Sequence, residues 1–191
     1  RFRPGFEIGR DITYRELIAR YDAVVLATGS RVPRRLDIPG SDLEGIHFAL
    51  EYLTQANKVV AGDEVQDQIV ATGKHVVIIG GGDTGSDCLG TALRQGAASV
   101  TSLDIMPQPP TERPANAPWP VDARLFKISS SHEEGGTRTY LASTQEFFGE
   151  NGHVTGLRVA TTQYTTDGES VPSEHVEDIP ADLVILAMGF I

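Results

Sequence analysis

The sequence predicts an α/β protein: a Rossmann-like parallel sheet accompanied by an antiparallel β-meander. Three observations carry this. Short apolar runs without polar alternation, Ala23-Val-Val-Leu-Ala27, His75-Val-Val-Ile-Ile79 and Ala181-Asp-Leu-Val-Ile-Leu-Ala187, suit strands covered on both faces, as parallel strands are. A glycine cluster, Gly80 to Gly85, sits between such a run and a helical pattern. From Thr139 the texture becomes alternating, with an Asn151-Gly152 turn pair of the kind that closes hairpins.

Taken in order, Thr13 and Glu16 stand three apart ahead of Leu17 and Ile18. That is a capping box, and it predicts a short helix over 13–21. The run 23–27 predicts a buried strand ending in Thr28-Gly29. Pro33 and Pro39 make 32–40 a turn-rich connector. Ile46, Ala49, Leu50, Leu53 and Ala56 recur at helical spacing, which predicts a helix over 46–56. A strand over 75–79 follows. The next helix should bury Cys88, Leu89, Ala92 and Leu93 and stop at Gly96, a good residue just past a helix end. A second strand is predicted over 98–105. Pro107, Pro109, Pro110, Pro114, Pro118 and Pro120 make the next stretch a long surface loop. A three-stranded meander should follow: 140–148, 153–165 and 176–179, with turns at 149–152 and at Asp167-Gly168. The run 181–187 supplies a last strand, ending in Met188-Gly189. The endings Val25-Leu-Ala-Thr-Gly29 and Ile185-Leu-Ala-Met-Gly189 echo each other.

Length and composition set the outer bounds. The 191 residues fit one domain, or one domain and part of another, and can bury a core without disulfides. The single cysteine, Cys88, excludes an intramolecular disulfide and a cysteine-built iron–sulfur or zinc site within this chain. It fits a reducing, cytoplasmic setting. With 16 basic and 26 acidic residues the net charge is −10, which argues against nucleic acid and anionic membrane surfaces as partners. No apolar run approaches the ~20 residues a membrane span needs, and no signal-peptide pattern opens the chain. The start at Arg1 and the stop at Gly189-Phe-Ile191 read as the ends of a fragment.

The chemistry lies in the glycine cluster. Gly80, Gly82 and Gly85 form Gly-x-Gly-x-x-Gly directly after a strand and at the opening of a helix. The first glycine permits the tight turn, the second lets the backbone approach a pyrophosphate, and the third lets helix and sheet pack closely. The helix N-terminus adds N–H donors and a partial positive charge. Asp104 closes the second strand 19 residues after Gly85, close to the roughly 20 expected for a ribose-binding acid. These features predict a dinucleotide site. An acid at that position favours NAD, and a nearby arginine would answer the 2′-phosphate of NADP. Arg113 and, further along, Arg124 are available, so the residues alone leave NAD and NADP open.

The runs Val77-Ile-Ile-Gly-Gly-Gly-Asp-Thr-Gly85, Asp104-Ile-Met-Pro-Gln-Pro-Pro110 and His132-Glu-Glu-Gly135, with the two Ala-x-Gly turns, come in an order that resembles the small (beta) subunit of NADPH-dependent glutamate synthase. They also resemble its relatives among the FAD/NAD(P)H pyridine-nucleotide oxidoreductases. The resemblance covers nearly the whole chain. It implies an NADP domain inserted into a FAD domain, with residues 1–40 a partial FAD-domain segment and connector, 41–187 the NAD(P) domain, and 188–191 the start of the return. By position, Ala27, Thr28 and Gly29 would lie near FAD, and Gly189 would lie where the chain returns toward it. Gly81, Gly82, Asp83 and Thr84 would hold the pyrophosphate. The implied activity is hydride transfer from NADPH to FAD, with electrons passing on through iron–sulfur centres outside this chain to a large (alpha) subunit that forms glutamate. Two features depart from the pattern. The FAD fingerprint and the iron–sulfur cysteines are not among these residues, and Gln108 stands where the family usually has arginine. Arg113 then becomes the expected 2′-phosphate partner and NADPH the expected coenzyme. The chain alone should bind dinucleotide without turnover.

Other residues read as structural. Cys88 lies on the apolar helix face. Glu133 and Glu134 precede Gly135-Gly136 in a solvated loop. The five histidines show no i, i+3 or i, i+4 pairing, so no metal site is expected, and no Gly-x-Ser-x-Gly nucleophile motif is present. Two rival functions remain: an electron-input module for a different acceptor, and a non-catalytic dinucleotide sensor.

Overall fold

The computed structural model describes residues 2–165 and 169–191, and the expected turn at Asp167-Gly168 lies outside them. The chain divides into two compact units, Arg1–Arg31 and Val32–Ile191.

In the first unit, helix α1 spans Tyr14–Arg20. Its capping box is formed as the spacing predicts. The Glu16 N–H donates to Thr13 Oγ1 and the Thr13 N–H donates back to Glu16 Oε2. The strand expected over 23–27 does not form. Those residues belong to no strand, and Val25 and Leu26 are 87% and 71% exposed. A strand is completed by its neighbours, and the described residues of this unit contain no other strand to hydrogen-bond with it.

The second unit has three layers. Its middle is a five-stranded parallel sheet of β1 (Ile46–Phe48), β2 (His75–Ile79), β3 (Ser99–Asp104), β4 (Thr137–Tyr140) and β8 (Leu183–Leu186), in the order β1-β8-β2-β3-β4. One face carries helices α2 (Ala49–Val60) and α3 (Asp83–Arg94). The other carries an antiparallel meander of β5 (Ala142–Glu150), β6 (His153–Tyr164) and β7 (Ser170–Pro180). Alternate residues of one strand therefore enter different cores. Val76, Ile78, Leu183 and Ile185 pack with Leu89 and Ala92 of α3. Val77, Ile79, Val184 and Leu186 pack with Phe147 and Leu157 of the meander. Both faces are covered, which is why β2 and β8 read as unbroken apolar runs. The polar groups drawn into the helical core are paired. The Tyr52 hydroxyl and the Ala71 N–H both donate to Gln95 Oε1 at 2.8 and 2.9 Å.

Three boundaries differ from the sequence reading. The helix expected over 46–56 begins only at Ala49, because Ile46–Phe48 pair with Val184–Leu186 as an edge strand. Apolar spacing alone does not separate a three-residue strand from the first turn of a helix. Second, Tyr140 does not open the meander but ends β4, which pairs parallel with β3. The switch between sheets occurs at Leu141, whose φ of +57° turns the chain. Third, β7 is eleven residues long, far beyond the expected 176–179. The proline-rich stretch is irregular as expected, and it leads into a one-turn helix α4 (Ser130–Glu133). At the hairpin tip, Asn151 and Gly152 both take positive φ, the geometry a two-residue type I′ turn requires. Gly96 also has positive φ, just past the C-cap Gln95.

Candidate dinucleotide site

The chain leaves β2 to form β3 and β4 on one side, while β8 and β1 lie on its other side. The carboxyl end of β2 is thus the point where strand order reverses, the place where open α/β sheets bind ligands. Gly80 to Gly82 emerge there and α3 begins at Asp83.

Three of the four loop glycines are required by the protein itself. Gly80 has φ +122°, and a Cβ on it would meet the Ala187 carbonyl oxygen at 2.2 Å. A Cβ on Gly81 would come within 2.3 Å of Asp104 Oδ2, and one on Gly85 within 2.1 Å of the Gly80 carbonyl oxygen. Gly82 differs. Its φ of −80° is open to any residue, and a Cβ there would meet nothing within 4 Å. Nothing in the fold demands a glycine at this position. The open side of this backbone is the kind of surface a diphosphate can approach closely. Gly82 is also the N-cap of α3 and supplies no side-chain cap, so the first N–H groups of the helix are left for an anion.

The space around this loop is a cleft of two lobes, about 430 and 410 Å³. The lobes meet at a waist lined by Gly81, Gly82, Asp83, Asp104, Met106 and Arg124, which border both. The first lobe is mainly apolar and runs past Leu36, Ala142 to Thr144, and Ala187 to Gly189. The second is polar and of mixed charge, bounded by Asp122, Lys127, Arg138, Ser129 and His132. At the waist, Asp104 Oδ1 accepts the Met106 N–H at 3.0 Å, which fixes the carboxylate at the end of β3.

The expected residues distribute as follows. Gly80, Gly81, Gly82, Asp83, Thr84, Asp104 and Gly189 line the first lobe. Gly85 lies behind the loop, against Gly80. Ala27, Thr28 and Gly29 belong to the first unit. Arg113 is not brought to the cleft. Its Nη1 donates to the carbonyls of Ala117 and Val121, both at 2.8 Å, so it braces the proline-rich loop from within. The cations bordering the cleft are instead Arg124, Lys127 and Arg138. Their distance in sequence from the glycine loop, and the absence of a motif around them, hid them from sequence reading. Only Arg124 stood out, as a cation following Arg113.

The His132-Glu133-Glu134 run is structural here. His132 Nδ1 lies 2.8 Å from Ser129 Oγ and caps α4. Burial, then the nearby Arg138 guanidinium, lowers its pKa, which suits a neutral ring accepting the Ser129 N–H. Glu134 pairs with Arg94. Cys88 is buried in the helical core, and burial, assisted by the charge of Asp87, pushes its thiol up to about 12.

The family model for pyridine nucleotide-disulphide oxidoreductases matches residues 10–191. The chain belongs to that family. It is 49% identical over its whole length to the glutamate synthase [NADPH] small chain of Mycobacterium tuberculosis, of which it covers 40%. It is 44% identical to the glutamate synthase [NADH] of Schizosaccharomyces pombe, matching with 97% of its length and covering 10% of that protein. Among solved structures, M. tuberculosis FprA in complex with NADPH superposes with a TM-score of 0.61 at 20% identity, over 96% of this chain and 53% of FprA. Thioredoxin reductase of T. acidophilum gives 0.55 at 20% identity, over 86% of this chain and 43% of that protein. These structures share the fold: a parallel α/β sheet with a separate three-stranded antiparallel sheet. No helix among the described residues is long and apolar enough to cross a membrane.

Proposed function

We propose that this chain is the NADPH-binding part of a flavoprotein oxidoreductase, the electron-input small subunit of a glutamate synthase. The observation that carries it is Gly82, a glycine the fold does not need, standing at the mouth of α3 in a two-lobed cleft. The chemistry that the two cofactors supply is hydride transfer from reduced nicotinamide to flavin. The protein's own task is placement. Gly81, Gly82 and the N-terminus of α3 take the diphosphate; Asp83 and Thr84 border it. Asp104 accepts from ribose hydroxyls. Residues 142–144 and 187–189 wall the apolar lobe, which excludes water from one half of the coenzyme. No side chain is asked to move a proton.

The whole protein extends well beyond this chain. FAD, near Ala27 to Gly29, with iron–sulfur clusters and a large partner subunit, completes the proposed cytoplasmic assembly. In the full-length gene product, anaerobic NADPH should bleach the flavin's visible absorbance. Oxidation of NADPH should then depend on glutamine and 2-oxoglutarate once the large subunit is added. Bleaching without that dependence would point to a different acceptor.

NADH is the second reading. Asp104 at the waist favours it, and a relative 44% identical carries [NADH] in its name. With Arg113 engaged in its own loop, the NADPH reading rests on Lys127 and Arg138 in the second lobe. Arg113→Ala should leave the NADPH/NADH affinity ratio unchanged, and Lys127→Ala with Arg138→Ala should shift it toward NADH. A wild type that prefers NADH outright decides for Asp104.

A further inference from the structure

We propose that Arg124 is the side-chain clamp on the coenzyme's diphosphate, a role that rests on the dinucleotide reading above. The waist of the cleft presents two carboxylates, Asp83 and Asp104, to any anion placed there. The α3 terminus offers about half a positive charge, too little to offset both. Among the described residues Arg124 is the one cation bordering both lobes. Its side chain is exposed and has no ion pair or hydrogen bond among the described residues. Lys127 and Arg138 border only the second lobe.

The loop that carries Arg124 is built to hold it still. The Phe126 N–H donates to the Pro110 carbonyl at 2.9 Å and closes the loop at its base. Arg113 ties Ala117 to Val121 inside it, and the neighbouring Ala123 is buried. A braced, proline-rich loop loses little entropy on binding. A guanidinium also suits phosphate oxygens, which it meets bidentately. Position separates this role from 2′-phosphate recognition. The waist is shared with the glycine loop, so a group bound there belongs to every dinucleotide, phosphorylated or not.

The test uses the full-length gene product and titrates NADPH, NADH and ADP-ribose into wild type, Arg124→Gln and Arg124→Lys at low and high salt. Arg124→Gln should weaken all three ligands by the same factor, about tenfold, the scale of one charge-assisted contact, and should flatten the salt dependence. Arg124→Lys should recover part of the loss, since it restores the charge without the fork, and it also serves should the glutamine variant fold poorly. A loss confined to NADPH overturns the proposal by placing Arg124 on the 2′-phosphate. Unchanged affinity for all three, with wild type binding normally, overturns it alone. A wild type that binds none of the three overturns the dinucleotide reading and this proposal with it.

Discussion

Val25-Leu-Ala-Thr-Gly29 and Ile185-Leu-Ala-Met-Gly189 have nearly the same sequence and opposite fates. Val184 and Ile185 are fully buried, with β1 hydrogen-bonded on one side and β2 on the other. Val25 and Leu26 are exposed and pair with no strand. Yet the turns agree: Gly29 has φ +70° and Gly189 φ +85°. The turn is a local property, set by a residue without a Cβ. The strand is a property of its neighbours, since an extended backbone gains only when another strand takes its N–H and C=O groups.

Four measurements press on this contrast. The largest effect is expected from Ile185→Ala, which empties a site between the helices and the sheet and should cost about 2–5 kcal/mol. The matched Leu26→Ala should stay within about 0.5 kcal/mol. Urea unfolding followed by far-UV circular dichroism compares them, and equal losses would mean that the first run is buried too.

Next comes the third strand-to-glycine ending, Ile79 to Gly82. Gly82→Val should weaken NADPH and NADH by more than about a hundredfold, because its side chain enters the diphosphate space, while the unfolding midpoint moves little. Calorimetric titration reads the first and thermal melting the second. Unchanged affinity for both would reduce the loop to a structural turn.

A smaller effect separates the two turns themselves. Gly189→Ala forces a Cβ into the left-handed region at a point where the Gly189 carbonyl accepts the Arg34 N–H, and should cost roughly 1–2 kcal/mol. Gly29→Ala lies in an unpaired segment that can relax, so its cost should be hard to detect in the same melts.

The smallest is a pH effect reported by Cys88. Its folded pKa is raised by burial to about 12, so the folded state keeps the proton after the unfolded state has lost it. Stability from this group is complete below the ordinary thiol value and falls as pH rises from there toward 12. At pH 8 the native thiol should resist alkylation. Labelling should follow opening of the helical core, faster in Ile185→Ala and unchanged in Leu26→Ala. Rapid labelling of the folded wild type would contradict the burial.

The element types that depend on neighbouring residues in the chain were readable in advance. The Thr13–Glu16 box, the Gly96 stop, the Asn151-Gly152 hairpin turn and the Gly80–Gly85 strand–loop–helix unit each rest on contacts within a few residues. Two of the misread boundaries involve pairing at long range. Ile46–Phe48 became a strand because β8, some 140 residues later, lies beside it. Thr137–Tyr140 joined the parallel sheet because β3 offered an edge. Arg113 was expected at the cleft because it lies near Asp104 in sequence, but a side chain settles where its nearest acceptors are, and those were the Ala117 and Val121 carbonyls.

By itself the sequence determined the fold class and the glycine loop with Asp104 at the end of the second strand, because each is written in short-range spacing. Tertiary structure alone decided which apolar runs become strands, which cations border the cleft, and which loop glycine the packing leaves free of neighbours. Those are questions about what stands within a few ångströms in space, and spacing along the chain does not carry that information.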